Sequence, residues 1–323
     1  MTNIDHKFLT KIAQQYYQEG KTQEKIAKKF HISRPTVSRL LSKAKEEGIV
    51  TIAIKNLAED ALVMEKDLED RGKLREAILV SSKSDPVQNL RSVAEAAALF
   101  LDRILKDGDL VGVSWGVALR EVANSLRPSR KVKIKVVPLT GGVGQTMVGI
   151  HANSIATKIA EEYGGTAYLL HAPAIVDNRE IRDVIIKESR TKEILEMGKQ
   201  VDVALVGIGF PNSKSTMVRT GYFSLEDIRR VKEAGAVGDI CARFFDQEGG
   251  KVITALDERI IGLDLDELKS IDCVVGVMCG EDRAKAAAAA MKGGLINVLV
   301  TDTITARKIL RVLKERVNAS TKQ

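Results

Sequence analysis

Residues 22–48, TQEKIAKKFHISRPTVSRLLSKAKEEG, limit what this chain can fold into more than any other stretch. Apolar or small residues fall at Ile26, Ala27, Phe30, Ile32, Val37, Leu40, Leu41 and Ala44. Two short helices crossing steeply need that spacing to bury a shared core. Polar and basic residues fill the gaps, and a second helix with such an outer face suits a DNA major groove. Ser33 reads as its N-cap, Pro35 as a first-turn residue whose missing N–H costs nothing, and Gly48 as the stop. Arg34, Thr36, Ser38 and Arg39, early in that helix, are the expected readers of base edges. Lys43, Lys45 and Lys28 are better placed for phosphate. With Ser33 and Pro35 at the helix start, Ser33, Arg34, Pro35, Thr36, Ser38, Arg39 and Lys43 form the expected DNA-binding set. His31 occupies the turn, where glycine is commonest, and histidine tolerates the left-handed region better than most residues. The competing reading is a basic helical hairpin with no nucleic-acid role.

Charge agrees with the DNA reading. Residues 1–55 hold eleven Lys/Arg against five Asp/Glu, which accounts for six of the chain's seven net positive charges. A polyanion footprint has this shape, and its affinity falls as salt rises.

At 323 residues the chain has room for a small domain and a large one. No run of about 18 apolar residues predicts a membrane span. The opening MTNIDHKF lacks a charged-then-apolar leader, so no signal peptide is expected. Cys241, Cys273 and Cys279 form no CxxC pair and are expected as reduced thiols of a cytoplasmic protein. The four histidines are scattered, so neither a metal nor a cofactor is expected.

A first helix is expected over 5–19 and a short strand, a possible wing, over 49–54. A charged helix over 57–71 is expected to link two domains, as a spacer or a dimer-forming element. The resulting division is a DNA-binding domain over 1–55, a linker helix over 56–72 and a large domain over 73–323. Aliphatic runs over 77–80, 110–113, 134–138, 167–170, 203–207, 274–278 and 298–301 read as strands. Helical stretches over 89–105, 118–126, 154–163, 180–197, 225–233, 283–291 and 303–317 separate them. That alternation implies an α/β domain with a mostly parallel sheet covered on both faces. Ligands in such sheets bind beyond the carboxyl ends of the strands.

Four expected strand ends are glycine-rich: GVSWG (112–116), TGGVG (140–144), GIG (207–209) and CGED (279–282). Glycine-rich turns opening onto helices present free amides that suit phosphate, although a single one often only makes a turn. None matches the Walker or dinucleotide pattern. The expected ligand set is Ser114, Trp115 and Gly116 in the first loop, Thr140, Gly141, Gly142, Val143 and Gly144 in the second, Gly280 in the last, and Arg283 as the phosphate cation. Asp246 is the candidate acceptor for sugar hydroxyls, with Asp239 an alternative that could instead cap a helix. TGGVG holds no lysine, so reversible, noncovalent binding is expected.

ISRPTVSRLL, EEGIV, GVSWG, TGGVG, GAVGDICARFFD, RIIGL (259–263) and GGLINVLVTD (293–302), in that order, resemble the SorC family of bacterial transcriptional regulators over essentially the whole chain. The resemblance implies a winged helix-turn-helix domain joined to a Rossmann-like effector domain similar in fold to ribose-5-phosphate and glucosamine-6-phosphate isomerases. It also implies a phosphorylated sugar effector, double-stranded operator DNA as partner, a homotetramer built as a dimer of dimers, and control of a carbohydrate-use operon. GVSWG and GDICARFFD are most similar to members that answer a deoxypentose phosphate. CGEDR departs from the family by carrying Arg283 where several members carry lysine. Two other readings compete. An aldose–ketose phosphate isomerase would need a positioned carboxylate such as Asp246, Asp257 or Glu258. An architectural DNA binder would not need glycine-rich strand ends.

Overall fold

A computed structural model describes residues 3–50, 59–142, 148–213, 215–219, 221 and 223–320. The chain divides into two compact units, Met1–Leu57 and Ala58–Gln323.

In the first unit α1 (Asn3–Ala13) runs into a π-helical turn, Gln14–Gln18, so the single helix expected over 5–19 changes its winding partway. The pair α2 (Gln23–Phe30) and α3 (Arg34–Glu46) follows. Thr22 and Ser33 accept from the backbone N–H groups of Lys25 and Thr36, capping each helix in its first turn. Ile12, Ile26, Ala27, Val37 and Leu41 form the shared core. His31 takes φ 53° and ψ 40°, the left-handed conformation the turn demands. Val50 donates to the Ala44 carbonyl, and the rest of the wing expected over 49–54 lies outside the described residues.

The second unit opens with α4 (Glu59–Gly72), β1 (Glu76–Val80), α5 (Pro86–Ile104), β2 (Leu110–Val113) and α6 (Val117–Ser125). It continues with β3 (Lys135–Pro138), α7 (Ala152–Tyr163), β4 (Thr166–Ala167), α8 (Arg179–Ile185), α9 (Ser189–Lys199) and β5 (Val203–Gly207). Next come α10 (Thr216–Arg219), α11 (Leu225–Glu233), β6 (Gly238–Ile240), β7 (Arg243–Phe245) and α12 (Leu265–Lys269). The last elements are β8 (Cys273–Val277), α13 (Ala284–Lys292), β9 (Val298–Asp302) and α14 (Thr303–Ser320).

Seven of the strands form one sheet in the order β1-β9-β8-β5-β2-β3-β4, with every neighbouring pair parallel. Strands 2, 5, 8 and 9 are covered on both faces, which explains their unbroken aliphatic runs. One core cluster packs α13 and α14 on one face, and another packs α5, α6 and α7 on the other. From β2 the chain steps outward to β3 and β4, then returns to the opposite side of β2 for β5. The carboxyl ends of β2 and β5 therefore flank the switch point, where open parallel sheets leave a crevice.

Three local departures from the sequence expectation have physical causes. The strand expected over 167–170 stops at Ala167; the Asn153 side chain bonds both backbone groups of Leu170 at 3.0 Å. The helix expected over 180–197 breaks because Glu188 is extended and caps α9, accepting from Arg190 and Thr191. The β6–β7 hairpin, unforeseen in sequence, turns through Cys241 and Ala242, with φ 54° and 65°. Two positive φ values are what a two-residue hairpin turn of the common mirror-image type requires.

Candidate functional site

On the first unit, Ser33, Arg34, Pro35, Ser38 and Arg39 are exposed along α3, while Thr36 and Lys43 are half-buried. Ser33 and Thr36 are partly committed to the cap, with hydroxyls 2.8 Å apart. Lys43 lies 3.7 Å from Glu47, one turn on. Arg34, the first residue of α3, and Arg39, near its middle, are exposed and have no ion pair among the described residues.

In the second unit a cleft of about 710 Å³ lies over the carboxyl ends of β1, β2, β5, β8 and β9. Its lining includes Ser114, Trp115 and Gly116 after β2, Gly207 and Gly209 after β5, and Gly280 and Arg283 after β8. Gly116 sits at the start of α6 with φ 125° and cannot cap the helix through a side chain, so the first amides of α6 remain to be satisfied from outside. Gly280 plays the same part ahead of α13, with φ 105° and no side-chain cap. Helices α2, α3, α5, α8, α9, α11 and α12 have side-chain caps and α6, α7 and α13 do not; of these three open starts, those of α6 and α13 face the cleft.

Arg283 spends one nitrogen on the Cys279 carbonyl at 3.0 Å and lays its guanidinium over Phe210 at 5.6 Å. Asp239, on β6, is 8% exposed and lines the same cleft. Burial pushes its carboxyl up to about 7, against the pull of the Arg283 guanidinium. A side chain at Gly209 would collide with the Asp239 carboxylate, so that glycine makes its room. At the far wall, Asp302 accepts from Ser82 Oγ at 2.6 Å and Thr305 Oγ1 at 2.5 Å, and Thr305 Oγ1 in turn accepts from the Gly280 amide at 2.9 Å. Burial alone would raise Asp302; the hydrogen bonds from Ser82 and Thr305 outweigh it and hold the carboxyl below its usual range. The ends of β1, β8 and β9 are thus tied together by one buried carboxylate.

The remaining expected residues lie elsewhere. Thr140 is 1% exposed, and with Gly141 it pairs against the Ile261–Gly262 backbone. A side chain at Gly141 would run into the Pro173 carbonyl, and Gly142 bridges to Pro173. These glycines let two backbones meet; Val143 and Gly144 lie outside the described residues. Asp246 accepts from the amides of Glu248 and Gly250, both at 2.8 Å, and so closes a turn away from the cleft lining. Of the carboxylates an isomerase might use, Asp257 is bound to Arg243 and Lys251, Glu258 lies 3.5 Å from Arg179, and none lines the cleft. Lys83, Asn89 and Arg219 line it unforeseen. Lys83 sits in a serine-rich loop without a glycine signal and Asn89 in the first turns of α5, and tertiary folding brings both in. A second cleft, about 680 Å³, is lined by Lys187, Lys192 and Asp264 among others and holds neither open helix start.

No helix among the described residues is long and apolar enough to cross a membrane. Cys241, Cys273 and Cys279 are free thiols, the first two buried.

A sugar-binding domain family matches residues 57–311, and a helix-turn-helix domain family matches residues 11–55. The chain is 34% identical over 302 residues to the deoxyribonucleoside regulator of Bacillus subtilis (strain 168), covering 93% of this chain and 96% of that protein. It is 34% identical over 310 residues to the sorbitol operon regulator of Klebsiella pneumoniae, covering 95% and 98%. The crystal structure of that full-length regulator, SorC, superposes with a TM-score of 0.74 over 96% of this chain and 99% of its own. Motif order, fold, family match and full-length relatives agree: this chain belongs to the SorC family of sugar-binding transcriptional regulators.

Proposed function

We propose that this chain represses a carbohydrate or nucleoside catabolic operon and is released from its operator by a phosphorylated sugar, a deoxypentose phosphate being the leading candidate. Residues 1–55 read DNA and residues 73–323 read the effector. The observation that carries the effector reading is the meeting, in one cleft, of two uncapped helix starts, Arg283 and the buried carboxyl of Asp239. Free amides and a guanidinium suit a phosphate, and a buried carboxyl suits sugar hydroxyls. Ser114, Trp115, Gly116, Gly280 and Arg283 stay in the proposed effector set; Asp239 takes the hydroxyl-reading place first given to Asp246. The name of the Bacillus subtilis relative supports a deoxyribonucleoside-linked effector. Two protomers would set their α3 helices about one DNA turn apart on a palindromic operator, with Arg34, Ser38 and Arg39 on base edges and Lys43 on phosphate. A dimer of such dimers gives the proposed tetramer. The effector shifts operator affinity only by binding the two arrangements unequally.

Trp115, the single tryptophan, lines the cleft and reports on it directly. Titration with 2-deoxyribose 5-phosphate, ribose 5-phosphate, hexose phosphates and the parent sugars should give a saturable emission change with one phosphate and none with its parent sugar. Equal responses to sugar and sugar phosphate would overturn the phosphate assignment. Operator fragments selected from random DNA should lose affinity when that phosphate is added; a gain would reverse the regulatory sign.

A further inference from the structure

Among the described residues strand β1 is an edge of the large sheet, paired on one side with β9 only. An edge strand leaves every second amide pointing outward without a ladder partner. Here those amides are taken by α4: Leu79 donates to Glu65 Oε1 at 2.8 Å, and Ala77 donates to Glu69 Oε1 at 2.9 Å. Four helical residues advance about 6 Å and two strand residues about 6.6 Å, so glutamates at i and i+4 match alternate strand amides. The pairing runs Glu65 to Leu79 and Glu69 to Ala77, so α4 lies antiparallel to β1 and takes the place of an eighth strand. Leu68, between the two glutamates, is fully buried in the same core cluster as Met291 and Ile309.

The dock has two lines to the cleft. Leu79 is three residues before Ser82, which lines the cleft and is bound to Asp302. Met291 packs on Gly72, the last residue of α4, with its terminal methyl in the space a side chain there would take. Met291 belongs to α13, which begins directly after Arg283 at the cleft, and Ala286 to Ala290 between them are all 0% exposed. A helix so closely packed transmits displacement rather than absorbing it. In sequence, α4 follows immediately on the DNA-binding unit.

We propose that Glu65 and Glu69 are positioning residues that couple the seating of α4 to the rims of the cleft, so that cleft occupancy resets the helix leading into the DNA-binding unit. That last step rests on the effector reading given above. The coupling itself is reciprocal, so loosening the dock should loosen the cleft with no ligand present.

Hydrogen exchange followed by mass spectrometry on the full chain tests this. In Glu65→Ala/Glu69→Ala, exchange should accelerate roughly tenfold at 76–80, as expected for losing a charge-assisted hydrogen bond. It should also accelerate at 81–90 and 279–285, while α7 keeps its wild-type rates. Glu65→Gln/Glu69→Gln retains an acceptor at each position and should stay near wild type. Should the double alanine variant fail to fold, Glu65→Ala alone gives the same comparison at Leu79. Acceleration confined to 76–80, or none even there, would overturn the proposal. Trp115 titration of the same samples with 2-deoxyribose 5-phosphate keeps the two readings apart: no response counts against that effector, and the exchange data still judge the dock.

Discussion

Strands β2 and β3 lie side by side and each ends in a glycine-rich loop, yet the two sets of glycines serve opposite ends. After β2, Gly116 has open space where a side chain would stand and a φ of 125°, so it exposes the start of α6 to the cleft. After β3, Gly141 is pressed against the Pro173 backbone and closes a seam between chain segments. One glycine opens backbone to solvent and ligand; the other removes a side chain so that protein can meet protein. Glycine at a strand end therefore does not identify a binding loop until the space around its missing Cβ is known.

Substitutions can break or sharpen that contrast. The largest effect is expected from Gly141→Ala, whose new methyl meets backbone that cannot turn aside. Overpacking of this kind costs about 1–3 kcal/mol or more, so the urea midpoint should fall clearly. An unchanged midpoint would erase the distinction between the loops. Arg283→Ala should do the reverse, weakening sugar-phosphate binding by about 2 kcal/mol while leaving the midpoint close to wild type. Binding by Trp115 emission and stability by urea, measured on the same sample, separate the two outcomes.

Asp239 brings in pH. Its folded carboxyl sits at about 7 against an ordinary value of 3.8. Between those two values the folded chain holds a proton that the unfolded chain has lost, so stability from this group falls as pH rises and is fully lost above about 7. Asp239→Asn should match wild type near the bottom of that window and exceed it above the top. Parallel stability curves across the window would mean that Asp239 is not the strained carboxyl of the cleft. The smallest effect is expected from Ala242→Gly on the hairpin that carries Asp239. Relieving a φ of 65° should stabilise by up to about 1 kcal/mol, seen as a higher melting temperature.

How much the sequence disclosed depended on whether the governing interactions were local. The helix-turn-helix was readable almost residue by residue, because Ser33, His31 and the apolar stripe act within a turn or two of chain, although the Thr22 cap of α2 was not singled out. The parallel sheet was readable because each buried strand is an aliphatic run. The cleft was only half readable. Ser114 to Gly116 and Gly280 with Arg283 come together there, but Thr140 to Gly142 do not. Asp246 looked as good an acceptor as Asp239, although the glycines at 249 and 250 signalled its turn. What distinguishes Asp239 is burial, and burial is set by residues far away in sequence. The hairpin was hidden for a related reason: Cys-Ala lacks the Asn-Gly signature of its turn, so surrounding packing must hold it.

The helix laid along β1 also bears on solubility. Without α4, Ala77 and Leu79 would present a row of bare donors on an aliphatic edge, the kind of surface that recruits strands from other molecules. A fragment cut at residue 73 would carry the whole sheet and still be prone to aggregate, whereas one cut ahead of Glu59 would keep its edge covered. The fourteen residues of α4 thus act as a shield against self-association of the sheet.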